Sequence, residues 1–135
     1  MCHTTRQIEL AQTIFDAMNR RDLSLLEKNL APDAVFDFPG TEQLRGPRRI
    51  LLFLKVLFRK YPRLTFVVDD IIAGEGRCVV VWHNEGENAS GIPYRNRGAT
   101  VVHIAGGAIS LISDYFKDTS FATIRAGHTR NAGDP

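Results

Sequence analysis

Two aspartates in this sequence interrupt apolar segments in which a carboxylate is costly to bury. Asp37 stands between two phenylalanines in residues 35–38, and Asp114 lies in the largely apolar segment 112–116. Burying an unpaired carboxylate costs several kcal/mol, so such a group is retained mainly where it is paired or functional. An apolar pocket raises the pKa of a carboxyl group toward neutrality, where it can transfer protons. We therefore predict that Asp37 and Asp114 are base and acid and face one internal cavity.

Each aspartate also has a purely structural explanation. Asp37 could cap the turn formed by residues 39–40, which are proline and glycine. Asp114 could instead pair with Arg97 or with His103. The sequence leaves these explanations open beside the catalytic one.

A histidine and a glutamate share one face of a predicted strand. Alternation along residues 77–88 places His83 and Glu85 on one face of this strand. The other face carries Trp82 and Asn84. A histidine and a carboxylate together could act as general acid and base, so we predict His83 as a third catalytic residue. Near the end of a strand, both side chains could equally reach bulk water.

Further residues are predicted to form a pocket around the carboxylates. Aromatic side chains suit a flat or polycyclic apolar ligand. A lone histidine among aliphatic residues, as at position 103, is more often structural than catalytic. The predicted substrate-binding residues are Phe15, Phe38, Phe58, Trp82, Tyr94, Glu85, Thr100 and His103.

Three helices and a short strand are predicted in the first half of the chain. Apolar residues recur at helical spacing over residues 5–19. Asp22 can cap a second helix over residues 23–30, which a proline then ends. A short strand follows at 34–38. The third helix covers residues 47–61, because a proline suits its first turn and another proline stops it.

Four longer strands are predicted in the second half, which is rich in valine, isoleucine, threonine and aromatic residues. They cover residues 64–73, 77–88, 94–104 and 108–117. Turns that contain glycine join consecutive strands, so the strands should pair antiparallel in sequence order.

Helices followed by a meander predict an α+β fold, a cone in which a strongly curved antiparallel sheet wraps around three helices. We expect the first and third helices to fill the concave face. A second copy of the chain should cover the open outer face, giving a homodimer. A single domain would span residues 1–125, followed by a disordered tail at 126–135.

Composition narrows the classes of function. The 135 residues suit one domain, and a net charge of +2 without a dense basic face argues against nucleic-acid binding. The cysteines and histidines are not spaced as a zinc site or a disulfide framework. No apolar stretch approaches the roughly 20 residues that cross a bilayer. We expect a cytoplasmic protein that binds a small apolar molecule, contacts neither nucleic acid nor membrane, and uses no metal and no cofactor.

The order of these elements resembles the nuclear transport factor 2-like superfamily over residues 5–121. Within that range, residues 22–35 are similar to the superfamily's recurring "GD...L..L.A.DA.." entry into the first strand. This resemblance implies the cone-shaped fold and a pocket inside it.

Two shorter segments resemble particular enzyme families. Residues 35–46 are similar to the V-x-D-x-x-G-[ST]-E segment of ketosteroid isomerases, which implies that Asp37 is a catalytic base. Residues 112–118 resemble the W-R-D-Y-F-D ending of limonene epoxide hydrolases and the last strand of SnoaL-like polyketide cyclases. That resemblance implies that Asp114 works as an acid or base.

The chain departs from two of these families. Ketosteroid isomerases form an oxyanion hole with a tyrosine and a protonated aspartate, whose places fall near Phe15 and Thr100. Limonene epoxide hydrolases need an R-x-D element, whereas residues 81–85 contain no arginine. We therefore favour a cofactor-independent SnoaL-like cyclase or isomerase of a small apolar carbonyl compound, with His83 and Tyr94 supporting the aspartates. The alternatives are a non-catalytic module that binds a ligand or partner, and an epoxide hydrolase.

Overall fold

The computed structural model describes residues 2–118 as three helices followed and interleaved by six strands. The predicted α+β class is confirmed. The helices are α1 (Cys2–Arg20), α2 (Leu23–Glu27) and α3 (Pro47–Lys60). The strands are β1 (Leu30–Asp37), β2 (Leu44–Arg45), β3 (Thr65–Gly74), β4 (Arg77–Glu87), β5 (Pro93–Ala105) and β6 (Ala108–Phe116).

The six strands form one curved, unclosed sheet in the order β2-β1-β6-β5-β4-β3. Strands β3 to β6 pair antiparallel in sequence order, as predicted. The prediction of antiparallel pairing throughout is wrong at one place, because β1 runs parallel to β6. After β1 and β2, helix α3 connects to β3 at the opposite edge of the sheet. The antiparallel strands β3 to β6 then lead back toward β1, so β6 lies beside β1 and runs in the same direction.

The first strand also differs from its predicted boundaries. Helix α2 ends at Glu27, and β1 begins at Leu30 rather than at Ala34. Pro32 therefore lies inside β1, where the register with β6 shifts between Leu30 and Val35. A proline lacks the N–H that a regular ladder uses, so it is tolerated at such an irregularity. The two-residue β2 was not predicted, because so short a strand has no periodicity.

Helices α1 and α3 cover the concave, inner face of the sheet, as predicted. Helix α1 packs against β3 and β4, and α3 packs against β1 and β2. Each helix buries one apolar stripe because its apolar residues recur at the helical period. The buried residues include Leu10, Ile14 and Phe15 from α1, and Ile50, Leu54 and Leu57 from α3.

Two polar side chains fix the end of α1 against β3. The amide of Asn19 donates to the Phe66 carbonyl oxygen at 2.9 Å and accepts from the Phe66 N–H at 2.8 Å. Arg21 follows the helix with φ 57°. Its guanidinium donates to the carbonyl oxygens of Pro62 and Leu64 at 3.0 and 2.7 Å. These bonds hold the end of α1 beside the start of β3, which is the edge strand of the sheet.

Alternation along β4 separates the inner face of the sheet from the outer face. On β4 the inner face is buried beneath the helices, whereas the outer face is partly or fully exposed. On β4 the inner residues are Cys78, Val80, Trp82 and Asn84, and the outer residues are Val79, Val81, His83 and Glu85.

A glycine in β5 lets two aromatic rings meet on the inner face. Gly98 lies opposite Trp82 on β4 and opposite Phe116 on β6. Because Gly98 has no side chain, these two rings pack across it with centroids 6.2 Å apart. A Cβ atom on Gly98 would lie 2.8 Å from Phe116 Cα, which real Cβ atoms do not tolerate. The glycine therefore helps to set where the indole lies.

Within residues 2–118, every helix is too short or too polar to span a membrane. The predicted tail at 126–135 lies outside the described residues. The assignment of residues 1–125 to one domain stays a prediction.

Candidate active site

An apolar cavity lies between the inner face of the sheet and helices α1 and α3. Its volume is about 40 Å³, which is space for roughly three water molecules. Most of the lining residues are aliphatic or aromatic, and a few polar groups in such a cavity are typical of a ligand site. The polar lining residues are Asn84, Tyr94, Asn96, Thr100 and Asp114.

Asp114 ends a chain of three hydrogen-bonded side chains in the cavity wall. Thr100 Oγ1 donates to Asp114 Oδ1 at 2.6 Å, and Trp82 Nε1 donates to Thr100 Oγ1 at 2.8 Å. An indole N–H only donates, so the threonine hydroxyl accepts from it and gives its own proton to the carboxylate. Among the described residues, nothing hydrogen-bonds Asp114 Oδ2, which leaves this oxygen for a ligand.

Strand register brings these three side chains together. Thr100 on β5 lies directly opposite Asp114 on β6 and diagonal to Trp82 on β4. Diagonal neighbours on one face of a sheet are within reach of an aromatic side chain. Thr100 is only 1% exposed, so the middle of this series of hydrogen bonds is shielded from water.

Burial raises the pKa of Asp114 from its ordinary value to about 7. The hydrogen bond from Thr100 acts in the opposite direction because it stabilises the carboxylate, and the negative charge of Asp37 adds to the rise. A carboxyl group with this pKa is present in both protonation states at neutral pH. It can therefore accept a proton and return it.

Asp37 does not line the cavity, so its predicted placement is wrong. Its neighbours Phe36 and Phe38 both line the cavity, and alternation therefore turns Asp37 to the outer face. There its Oδ2 accepts a hydrogen bond from Ser113 Oγ at 3.4 Å. The alternative of a turn cap is not observed either, because Thr41 closes the following turn on the carbonyl oxygen of Phe38.

His83 and Glu85 also lie on the outer face, which corrects their prediction as a catalytic and a substrate-binding residue of the cavity. The side chain of His83 is 45% exposed, and its Nδ1 lies 2.8 Å from Asp69 Oδ2. Glu85 is exposed opposite Thr65. The inner positions of this part of β4 are instead occupied by Trp82 and Asn84. His83 is therefore too remote from the cavity to act on a ligand inside it.

The predicted substrate-binding residues divide between the cavity and other places. Phe58 lies beneath the Arg21 guanidinium, whose carbon is 4.0 Å from the ring centroid. His103 alternates with the buried Val102 and so belongs to the outer face, as Glu85 does. The predicted residues that line the cavity are Phe15, Phe38, Trp82, Tyr94 and Thr100.

Two buried asparagines in the cavity wall were not predicted. Asn84 and Asn96 are 5% and 8% exposed and lie opposite each other on β4 and β5. The available signal was alternation, because Asn84 shares the face of Trp82 and Asn96 shares the face of Thr100. The prediction chose the other face of β4 because that face carries the titratable residues His83 and Glu85.

Comparison with known proteins agrees with this architecture. A family model for the SnoaL-like domain matches residues 11–112, which is most of the chain. The chain belongs to the SnoaL-like family. This confirms the resemblance to the nuclear transport factor 2-like superfamily. None of the curated proteins matches the sequence.

Solved structures of low sequence identity share the fold of this SnoaL-like protein. A protein from Jannaschia sp. CCS1 assigned as a SnoaL-like polyketide cyclase has a TM-score of 0.81 and 19% identity, over 94% of this chain and 96% of that one. An NTF2-like protein of unknown function from Burkholderia pseudomallei K96243 has a TM-score of 0.80 and 21% identity, over 90% of this chain and 96% of that one. TerC, co-crystallized with polyporic acid, has a TM-score of 0.78 and 17% identity, over 87% of this chain and 96% of that one. Identities this low establish the fold and no activity.

Replacing Thr100 with valine tests the hydrogen-bond chain of this SnoaL-like protein. Valine keeps the shape but leaves the buried Trp82 N–H without an acceptor, so we expect the free energy of unfolding to fall by about 1–3 kcal/mol. Urea unfolding measures this loss, and the proton resonance of the single indole N–H should shift in an NMR spectrum. Thr100→Ser keeps the hydroxyl and is the matched control. Equal stability of the valine variant and the native protein would contradict the described chain.

Proposed function

We propose that this SnoaL-like protein is a cofactor-independent cyclase or isomerase that moves a proton on a small apolar carbonyl compound. The observation that carries the proposal is the Asp114 carboxyl group in the cavity wall, whose pKa is raised to about 7 by burial. The fold neighbour assigned as a polyketide cyclase is consistent with this class of reaction.

In the proposed mechanism, Asp114 removes a proton from a carbon next to a carbonyl group and returns it elsewhere on the same substrate. Thr100 holds one carboxylate oxygen in place, so the other oxygen is the one that reacts. The apolar walls keep water from stabilising the carboxylate, which preserves its basicity. Because one carboxyl group both takes and returns the proton, this mechanism does not need Asp37 in the cavity.

A ring compound requires the cavity to enlarge. A volume of about 40 Å³ is smaller than the roughly 150 Å³ cavity that is known to admit benzene. Phe66, Tyr94 and Phe116 line the cavity and are only partly buried. Rotation of these rings is the change that we expect on ligand entry, since partly exposed side chains change rotamer at less cost than fully buried ones.

The second candidate function is binding of an apolar ligand without turnover. It is favoured by one observation: Asp114 is the only carboxyl group among the described lining residues. An epoxide hydrolase without the R-x-D element would need a different acid near Asp114, and His83 or Glu85 could have supplied it. Their place on the outer face removes that support.

A second copy of the chain is the proposed partner for the outer face of the sheet. Val67, Ile72 and Tyr115 expose 44%, 58% and 60% of their surface there. Burial of these apolar groups in a two-fold interface would stabilise a homodimer. Light scattering at micromolar concentration should give the mass of two chains, and the mass of one chain would count against this proposal.

Hydrogen–deuterium exchange on a model ketone tests the proposed chemistry without knowledge of the natural substrate. We expect the protein to accelerate exchange of the α-protons of 2-tetralone in deuterated buffer at neutral pH, followed by proton NMR. Asp114→Asn should reduce the enzymatic exchange rate by about a hundredfold or more, because the amide keeps the shape but cannot accept the proton.

Asp37→Asn is the matched control, since that carboxyl group lies outside the cavity, and it should retain most of the exchange activity. Full activity in the folded Asp114→Asn variant would eliminate the mechanism. Binding of 2-tetralone without any acceleration would favour the binding function instead.

A further inference from the structure

Asn84 is a buried polar residue whose side-chain oxygen no described residue satisfies. It is 5% exposed and lines the cavity, and its Oδ1 has no hydrogen-bond partner among the described residues. Buried side-chain oxygens and nitrogens almost always have a partner, because an unmade hydrogen bond costs stability. The exception at Asn84 therefore calls for a physical explanation.

The neighbouring asparagine shows what a structural amide looks like at the same level of the sheet. Asn96 lies opposite Asn84, and its Nδ2 donates to the Tyr94 hydroxyl and to the Asp118 carbonyl oxygen, both at 3.0 Å. Its Oδ1 accepts from the backbone N–H groups of Arg97 and Asp118 at 2.9 and 3.0 Å. Asn96 thus ties β5 to the end of β6, whereas Asn84 makes no comparable contact with the residues that the structure describes.

Asn84 and Asp114 lie toward opposite ends of the cavity wall. Asp114 is level with Thr100, which is level with Val80 on β4. Asn84 comes four residues after Val80, which is roughly 13 Å along the strand at about 3.3 Å per residue. The Trp82 side chain occupies the apolar wall between these levels. A ligand that meets both polar groups must therefore be elongated.

We infer that Asn84 is a ligand-recognition residue that hydrogen-bonds a hydroxyl group on the end of the ligand remote from Asp114. A hydroxyl group both donates and accepts, so it can pair with the amide in either orientation of its oxygen and nitrogen. The ligand class is an apolar carbonyl compound of at least two rings with a hydroxyl group at its far end. The inference rests on the proposed function in one respect, namely that the reacting carbonyl lies at Asp114.

A matched pair of probes isolates the contact. The probes are 4-acetylbiphenyl and 4-acetyl-4′-hydroxybiphenyl, which differ only by the remote hydroxyl group. Calorimetric titration should show that the native protein binds the hydroxylated probe about tenfold more tightly. In Asn84→Leu the two probes should bind with equal affinity, because leucine has similar volume and no hydrogen-bonding group.

Thermal unfolding separates recognition from a structural role. Asn84→Leu should unfold at the same temperature as the native protein or higher, because it removes an unsatisfied polar group. Asn96→Leu is the matched control and should unfold at a lower temperature, since it loses the bonds to Tyr94, Arg97 and Asp118. Equal destabilisation of the two variants would assign Asn84 a structural role and overturn the inference.

The outcomes also separate this inference from the proposed function. If the Asn84→Leu variant keeps the preference for the hydroxylated probe while the native protein exchanges ketone protons, the inference is wrong and the function stands. A preference that Asn84→Leu abolishes, in a protein without exchange activity, supports the inference and removes the catalysis. If neither probe binds the native protein, the inference is overturned, and an exchange activity on 2-tetralone would still support the function.

Discussion

The hydrogen bond between Thr100 and Asp114 is the interaction on which the proposed chemistry of this cavity depends. Burial raises the pKa of Asp114, whereas the hydrogen bond from Thr100 lowers it because it stabilises the carboxylate. One donor, oriented by the Trp82 indole, gives an intermediate result near 7. The same bond leaves one carboxylate oxygen for a ligand. The proposed acid and base behaviour of Asp114 therefore depends on burial in an apolar wall together with this one bond.

The fold supports this arrangement through the geometry of its sheet. Curvature lets α1 and α3 cover the inner face, which places the carboxyl group in the wall of an apolar cavity. Gly98 allows Trp82 and Phe116 to pack across β5, so the indole is held within reach of the threonine. The side-chain oxygen of Asn84, which has no partner among the described residues, is a cost in stability that a hydrogen bond from the proposed ligand would offset. Stability and the inferred recognition thus make opposing demands on the same cavity.

The sequence predicts the elements better than it predicts which faces they bury. Prolines lie at both ends of α3, and apolar residues recur at the helical period in α1, so the sequence predicts both helices. It also predicts Asp114 as a site residue, because a carboxylate is unusual in an apolar strand. The inner face of β4 could not be chosen, because valines occupy both faces and the outer face is itself partly buried. At Asp37 the flanking phenylalanines were the better signal, since they mark the inner face of β1. Parallel pairing of β1 with β6 is a long-range contact without a local pattern.

The protonation of Asp114 can be measured directly by carbon-13 NMR on protein labelled at the aspartate carboxyl carbons, with Asp114→Asn to assign its resonance. The titration would run from about pH 4 to about pH 9, across both the ordinary range of an aspartate and neutrality. We expect a midpoint near 7, because burial raises the pKa of Asp114 while the bond from Thr100 limits the rise. A midpoint near 4 would show a carboxylate that is solvated or fully paired, and it would contradict the proposed acid and base role.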